Sequence, residues 1–187
     1  MELNTTIYRD GEGIPVVLVH AFPIDHHLWD DCAAELIVRA NAAGLPRFPI
    51  WAPDMPGAGE GPIPTAEQTG AVAPDGAYTE ALDRMADAYV DLIRKAGFTK
   101  AIWVGLSMGG YLVLDIQRLH PEAVAGLALC DTKADADSAA SRANRLRIAD
   151  ICETERTVDP VMHFAEPQPG DSTIKRAPRF IRQFTGW

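Results

Sequence analysis

The feature that most constrains this chain is a serine flanked by glycines at the junction of an apolar strand and a helix. The pattern Gly-x-Ser-x-Gly spans residues 105–109 and follows an apolar run over 101–106, which predicts a buried strand. A helix is predicted from Met108 and ends before Pro121, because the residue preceding a proline disfavours helical dihedrals. The serine must then take a strained backbone conformation, and glycines are needed where strand and helix pass too close for a β-carbon. The motif predicts Ser107 as a nucleophile that projects above the sheet.

Two backbone N–H groups are predicted to stabilise negative charge formed on a substrate beside Ser107. Met108 begins the helix, so its N–H and the helix dipole point at such an oxyanion. The loop after an early strand, predicted over residues 14–20, supplies the second donor, and the predicted donor is the N–H of Phe22. The side chain of His20 is interpreted as structural.

Strand-like and helix-like segments alternate along the chain, which predicts βαβ units and a mostly parallel sheet of five to six strands with flanking helices. The predicted strands include residues 14–20, 48–52, 101–106 and 125–130, and the predicted helices are 29–40, 79–96, 108–119 and 134–155. Thr79 is predicted to cap its helix, and residues 57–76 are predicted to form a long surface loop.

Charge and hydropathy exclude several classes of partner. The net charge of −9 argues against nucleic acid and against anionic membranes. The longest apolar runs fall well short of the roughly 20 residues of a membrane span, and the N-terminal residues do not resemble a secretory signal. We therefore expect a cytoplasmic protein. The cysteines, Cys32, Cys130 and Cys152, form no Cys-x-x-Cys pair, so neither a disulfide framework nor a metal site is expected.

Five segments together resemble the α/β-hydrolase fold, in order and spacing, over roughly residues 10–155. They are Val16–Pro23, Ala52–Gly59, the helix Tyr78–Phe98, the Ser107 motif, and Asp131-Thr132 followed by Arg142–Arg145. The last pair is most similar to the 3-oxoadipate enol-lactonase group and its neighbours, the cofactor-free esterases and haloperoxidase-like enzymes. The resemblance implies a serine hydrolase that acts on a small carboxylic ester or lactone and needs no cofactor. Ala21 departs from the glycine of many relatives, which is tolerable if its backbone is not left-handed.

The resemblance also requires an acid and then a histidine after the serine, since the imidazole must remove the hydroxyl proton. Three of the five histidines, His20, His26 and His27, precede Ser107, so they do not fit this order. His120 lies at the end of the helix that begins after Ser107. At a rise of about 1.5 Å per residue it is roughly 20 Å from Ser107, which is too far for the base.

His163 alone remains as a candidate base, in a segment where the family has a lid helix. Asp131 is a candidate acid at the tip of its strand, although a turn residue or a helix cap is the favoured interpretation. Asp54 is interpreted as a loop residue that contacts backbone and not as a catalytic acid.

These observations predict a truncated α/β-hydrolase fold with residues 1–133 as its core, 134–166 as the start of a helical lid and 167–187 as an atypical basic tail. The expected chemistry is impaired acyl transfer from Ser107 to water. One alternative is an active enzyme that uses His163 and Asp131. Another is a non-catalytic ligand-binding or interaction module on the same fold. The strand at 125–130 is expected to be an exposed apolar edge through which the protein can self-associate.

Overall fold

The structure, a computed structural model, describes residues 1–165. Within them five strands form one sheet in the order β1-β3-β2-β4-β5, with β1 antiparallel to β3 and every other neighbouring pair parallel. The strands are β1 Thr5–Arg9, β2 Val16–Val19, β3 Ile50–Pro53, β4 Ala101–Leu106 and β5 Val124–Cys130. This arrangement confirms the predicted mostly parallel sheet with flanking helices.

Six α-helices connect or follow the strands. They are α1 Asp30–Ala42, α2 Ala66–Thr69, α3 Ala81–Lys95, α4 Met108–Leu119, α5 Ala139–Glu155 and α6 Asp159–Ala165. Short 3-10 turns precede α1, at His26–Trp29, and β5, at Pro121–Ala123. None of the helices in residues 1–165 has both the length and the apolar character that a bilayer crossing requires.

The alternation of side chains along β2 divides the core into two layers. Val17 and Val19 lie in the cluster that contains the buried faces of α3 and α4. Val16 and Leu18 lie on the opposite face, in the cluster that contains residues of α1 and Trp29. Because both faces of β2 are covered, all four of its residues are buried, which explains the continuous apolar run in the sequence.

Two local predictions differ from the structure, and one strand was not predicted. β1 was not predicted, because its polar sequence reflects an edge strand that is buried only at Arg9. Thr79 does not cap α3, since its hydroxyl instead donates to the carbonyl of Ala71, and the helix begins at Ala81. The predicted helix at 134–155 begins at Ala139, where the preceding Ser138 accepts a hydrogen bond from the Ser141 N–H.

The long loop at 57–76 contains the short helix α2, held by a reciprocal capping box between Thr65 and Gln68. The division into core, lid and tail remains a prediction. Helices α5 and α6 occupy the segment assigned to the lid, and the basic tail at 167–187 lies outside the described residues.

Candidate active site

Ser107 occupies the sharp turn between β4 and α4. Its dihedrals, φ 51° and ψ −111°, lie in a region that non-glycine residues rarely adopt. Its N–H donates to the Cys130 carbonyl over 3.0 Å, and its own carbonyl accepts hydrogen bonds from the Gly110 N–H and the Thr132 hydroxyl. The residue is exposed. A strained backbone of this kind costs about 1–3 kcal/mol and persists where its surroundings fix it. The three hydrogen bonds of the Ser107 N–H and C=O groups fix the strained backbone in this protein.

The glycines on either side of Ser107 are required by close approach. A β-carbon on Gly105 would collide with the Gly109 carbonyl oxygen. A β-carbon on Gly109 would collide with the Val19 carbonyl oxygen and lie 2.7 Å from that of His20. Both obstacles are backbone atoms of the sheet or helix and cannot move aside. The interpretation that strand and helix pass too close for side chains is therefore confirmed.

A cavity of about 140 Å³ opens beside this turn. It is lined by residues of three segments: His20, Phe22, Pro23, Ile24, Met55, Pro56, Gly57, Ala58 and Met108. The two predicted oxyanion donors, Phe22 and Met108, thus border one cavity. Ala21 does not have a positive φ, so its substitution for glycine causes no backbone strain.

His20 connects the two loops that wall this cavity. It is 1% exposed, and its Nε2 accepts a hydrogen bond from the Met55 N–H over 2.8 Å. Its Nδ1 lies 2.9 Å from the Ala21 carbonyl and is therefore the protonated nitrogen. Burial lowers the pKa of His20, in agreement with a neutral ring that must accept at Nε2. The structural interpretation of His20 is confirmed.

Asp54 directly precedes Met55, one of the residues that line the cavity. The residue is fully buried, and its carboxylate accepts hydrogen bonds from the backbone N–H of His26, at 2.9 Å, and of Glu60, at 3.3 Å. The ring of His26 and the amide of Asn4 also donate to it. Burial opposes ionisation, but these hydrogen bonds outweigh it and place the pKa of Asp54 below its ordinary value. The prediction that Asp54 contacts loop backbone is confirmed.

The lowered pKa makes part of the protein's stability depend on pH. Stability from Asp54 is fully present above the unfolded-state pKa of about 3.9 and is lost as the pH falls through the lower folded-state pKa. We expect Asp54→Asn to lower the free energy of unfolding at pH 7 by about 2 kcal/mol, and to flatten its decline in acid. Urea unfolding from pH 7 to pH 3 measures both effects. Asp91→Asn, on the exposed face of α3, is the control, and an equal loss in that variant would contradict the assignment.

Asp25, His26 and His27 place potential metal-ligand atoms within 4.8 Å of one another. Hydrogen bonds account for this proximity. The ring of His26 is bound to Asp54, and Asp25 accepts from both the N–H and the Nδ1 of His27. The cluster holds the 3-10 turn at His26–Trp29, which follows the Phe22 loop.

The two histidines that follow Ser107 in the chain are His120 and His163. His120 follows the last residue of α4, as expected, and its Nε2 lies 2.7 Å from Asp87. His163 lies in α6. Among the described side chains, no imidazole forms a hydrogen bond with the Ser107 hydroxyl. Asp131, with φ 40°, is an exposed turn residue at the end of β5, and it does not cap a helix because α5 starts only after Ser138.

A larger cavity of about 550 Å³ lies elsewhere, on the outer side of α4. Its walls include Tyr111, Asp115 and the loop 133–137. We assign the candidate site to the smaller cavity, because that one touches the residue directly after Ser107 and the predicted Phe22 donor.

The sequence interpretation missed two groups that hold Ser107. One is Thr132, whose hydroxyl donates to the Ser107 carbonyl over 2.8 Å. The other is Gly110, where a β-carbon would collide with the Thr132 side chain. The segment Asp131-Thr132 was noted only as part of the resemblance. The second of the two consecutive glycines, Gly109-Gly110, was the available signal for a close neighbour.

Comparison with known families agrees with this geometry. A sequence model described as the alpha/beta hydrolase fold matches residues 14–150, which is most of the chain. The chain belongs to the α/β-hydrolase family. The sheet, its flanking helices and the turn at Ser107 are accordingly those of an α/β-hydrolase.

Solved structures of an esterase, a hydrolase and an enol-lactonase are similar to the chain. A thermophilic esterase from Thermogutta terrifontis is 29% identical, with a TM-score of 0.77, over 98% of this chain and 61% of the esterase. The enol-lactonase from Burkholderia xenovorans LB400 is 18% identical, with a TM-score of 0.70, over 98% of this chain and 63% of the lactonase. A hydrolase from Pseudomonas aeruginosa PA01 is 20% identical, with a TM-score of 0.74. The α/β-hydrolase chain described here thus spans about three fifths of the length of these proteins. No curated protein matches it.

Proposed function

We propose that Ser107 is the nucleophile of an acyl-transfer site for small carboxylic esters or lactones. The observation that carries this proposal is the position of Ser107, exposed in a strained turn at the N-terminus of α4, beside a cavity bordered by both Phe22 and Met108. The Ser107 oxygen would attack the carbonyl carbon and break its π bond. The N–H groups of Phe22 and Met108 would then hold the resulting oxyanion. When the oxyanion collapses, the bond between the carbonyl carbon and the ester oxygen breaks, and the alcohol leaves with the proton that the Ser107 hydroxyl has lost. Water then cleaves the acyl-serine ester, which releases the acid and returns a proton to the Ser107 oxygen.

The cavity favours a small, uncharged acyl group. Its walls are mainly apolar side chains and glycine, and the one imidazole among them, that of His20, is occupied by two backbone groups. A carbonyl that enters it can find donors only at backbone N–H positions. The esterase and lactonase among the similar structures are consistent with this class of substrate.

We propose further that the 187-residue chain turns over such substrates poorly. The five histidines of the sequence are His20, His26, His27, His120 and His163. The first four are engaged by backbone or carboxylate groups. His163 lies in α6, in the segment where the sequence predicts the start of a lid. A serine hydroxyl without an imidazole base is a weak nucleophile at neutral pH. The cytoplasmic location and the absence of nucleic-acid and membrane partners stay predictions.

Ser107→Cys tests the nucleophile separately from the base. A thiol is partly ionised at neutral pH, and the helix N-terminus favours its thiolate, so it needs no base to attack. We expect this variant to release a burst of one equivalent of p-nitrophenol from p-nitrophenyl acetate, at least about tenfold faster than Ser107→Ala. Mass spectrometry should place the acetyl group on residue 107.

Ser107→Ala keeps Cys32, Cys130 and Cys152, so it measures acylation at those thiols. Equal acylation of the two variants would overturn the assignment of Ser107, because a cysteine in a formed oxyanion hole must react faster than a surface thiol.

A further inference from the structure

The Ser107 carbonyl is held by two donors that belong to different elements of the fold. The Gly110 N–H, within α4 itself, donates to it over 2.9 Å. The Thr132 hydroxyl donates to it over 2.8 Å, from the segment that follows β5. A hydrogen bond from within α4 moves together with the helix, whereas the one from Thr132 ties the start of the helix to the neighbouring strand. Thr132 therefore contributes a constraint that α4 does not supply.

Fixing this carbonyl also fixes the N–H group of Met108. The Ser107 C=O and the Met108 N–H belong to one planar peptide unit, which is trans and points the two groups in opposite directions. Met108 is the first residue of α4, so its N–H has no acceptor within the helix and can donate to a substrate. The direction of this donor is consequently set by the groups that hold the Ser107 carbonyl.

The order of the strands places Thr132 and the cavity on opposite sides of the turn. β4, which ends at the turn, lies between β2 and β5 in the sheet. Thr132 follows β5. Phe22 and Met55, which line the cavity, follow β2 and β3. Because the Ser107 carbonyl accepts from Thr132, the Met108 N–H points away from Thr132 and lies on the side of the cavity.

The backbone at Ser107 needs such a constraint. Its φ of 51° and ψ of −111° lie in a region that residues other than glycine rarely adopt. A rotation about ψ that relieves this strain turns the Ser107 carbonyl and the Met108 N–H together, because they share one peptide plane. Thr132 packs directly over Gly110, where a β-carbon would collide with the threonine side chain, so its hydroxyl stays close to the carbonyl. The strained peptide is thus held with its N–H on the cavity side.

We propose that Thr132 is a positioning residue for acyl transfer, whose hydroxyl holds the Met108 N–H in the direction from which it stabilises the oxyanion. The inference rests on the proposed role of Ser107 as the nucleophile. Thr132 keeps its own proton throughout and touches no reacting atom. It acts when the carbonyl π bond of the substrate breaks and the oxyanion forms, and not on the nucleophilicity of residue 107. A reaction at residue 107 that forms no oxyanion should consequently be independent of Thr132.

Two reactions of the Ser107→Cys variant separate these effects. In acylation by p-nitrophenyl acetate the thiolate attacks the ester carbonyl, an oxyanion forms there, and p-nitrophenolate leaves. In alkylation by iodoacetamide the thiolate forms a bond to the CH₂ carbon and iodide leaves, so no oxyanion forms. Peptide mass spectrometry follows both products at residue 107, apart from those at Cys32, Cys130 and Cys152.

We expect Thr132→Val, added to Ser107→Cys, to slow acylation about tenfold and to leave the alkylation rate unchanged. The loss is smaller than the roughly 10²–10³-fold cost of removing an oxyanion donor outright, because the Gly110 N–H still holds the carbonyl. Thr132→Ser keeps the hydroxyl and should acylate as fast as Ser107→Cys alone. Thr79→Val is the matched control, since the Thr79 hydroxyl also donates to a backbone carbonyl, that of Ala71. It should change neither rate.

Acylation that is unaffected by Thr132→Val overturns the inference, and so does an equal loss of both rates, which would mean that the substitution disturbs residue 107 itself. A slow Thr132→Ser variant also overturns it, because the methyl group and not the hydroxyl would then matter. Far-UV circular dichroism checks the fold, and Thr132→Ala, which places no methyl group against the carbonyl, takes the place of Thr132→Val if that variant does not fold. A Ser107→Cys variant that acylates no faster than Ser107→Ala contradicts the proposed function itself, and this inference with it.

Discussion

Steady-state hydrolysis of p-nitrophenyl acetate by the 187-residue chain should run within about tenfold of the rate of its Ser107→Ala variant, whereas loss of the nucleophile from a complete triad costs about 10⁶-fold. The proposed reason is that, among the side chains that the structure describes, no imidazole forms a hydrogen bond with the Ser107 hydroxyl. His20 accepts from the Met55 N–H, and His26 and His120 lie against Asp54 and Asp87. Initial rates at pH 7, corrected for spontaneous hydrolysis, measure the difference.

The variant His163→Ala distinguishes this expectation from the alternative of an active enzyme that uses His163 and Asp131. His163 lies in α6, and Phe164 beside it contacts Phe22 with ring centroids 6.4 Å apart. If α6 supplies the base, the unsubstituted chain should hydrolyse the ester at an enzyme-like rate, which His163→Ala and Asp131→Asn would each abolish. We expect instead that neither substitution changes the slow rate. A large, Ser107-dependent rate would contradict the proposed impairment while leaving the nucleophile assignment intact.

Gly109→Ala is expected to lower the free energy of unfolding by about 3 kcal/mol, the upper part of the range for overpacking. Its β-carbon would collide with the Val19 carbonyl oxygen and lie 2.7 Å from that of His20. Relief requires α4 to move away from β2, which would also disturb the hydrogen bonds that hold Ser107. Urea unfolding followed by far-UV circular dichroism measures the change.

Gly126→Ala is the matched control for this substitution. It adds the same methyl group to a strand residue of the same sheet, where the nearest atoms, on the Ile102 side chain, lie 3.8 Å or more away. We expect a change within about 0.5 kcal/mol. Similar losses in the two variants would show that the close packing between α4 and β2 does not control stability.

The nucleophile turn was predictable because its constraints are local. Ser107 has a glycine two residues before it and another two residues after it, between an apolar strand and a helix. This pattern predicts a sharp turn between strand and helix, and the structure contains that turn. The parallel sheet was predictable for a related reason, since strands buried on both faces, such as Val16–Val19, lose the alternation of polar and apolar residues. The role of His20 followed from its place at the end of such a strand.

Other features depend on contacts between residues distant in the chain. Thr132 lies 25 positions from Ser107, and only the pairing of β4 with β5 brings its hydroxyl to the Ser107 carbonyl. The β1 strand was missed because an edge strand buries only part of one face and needs little apolar sequence. Thr79 bonds to the Ala71 carbonyl because Val72 and Tyr78 pair across the loop, a contact that outweighs its capping preference.

The sequence by itself determined the α/β class, the strained serine turn and the need for its glycines, because dihedral preferences and strand burial act over a few neighbouring residues. The tertiary structure alone decided which groups meet at that turn. It places Phe22 and Met108 on one cavity, and it engages His20 and His26 with the loops around them. Hydrogen bonds between distant segments depend on the register of the sheet, and that register is fixed only when the whole core packs.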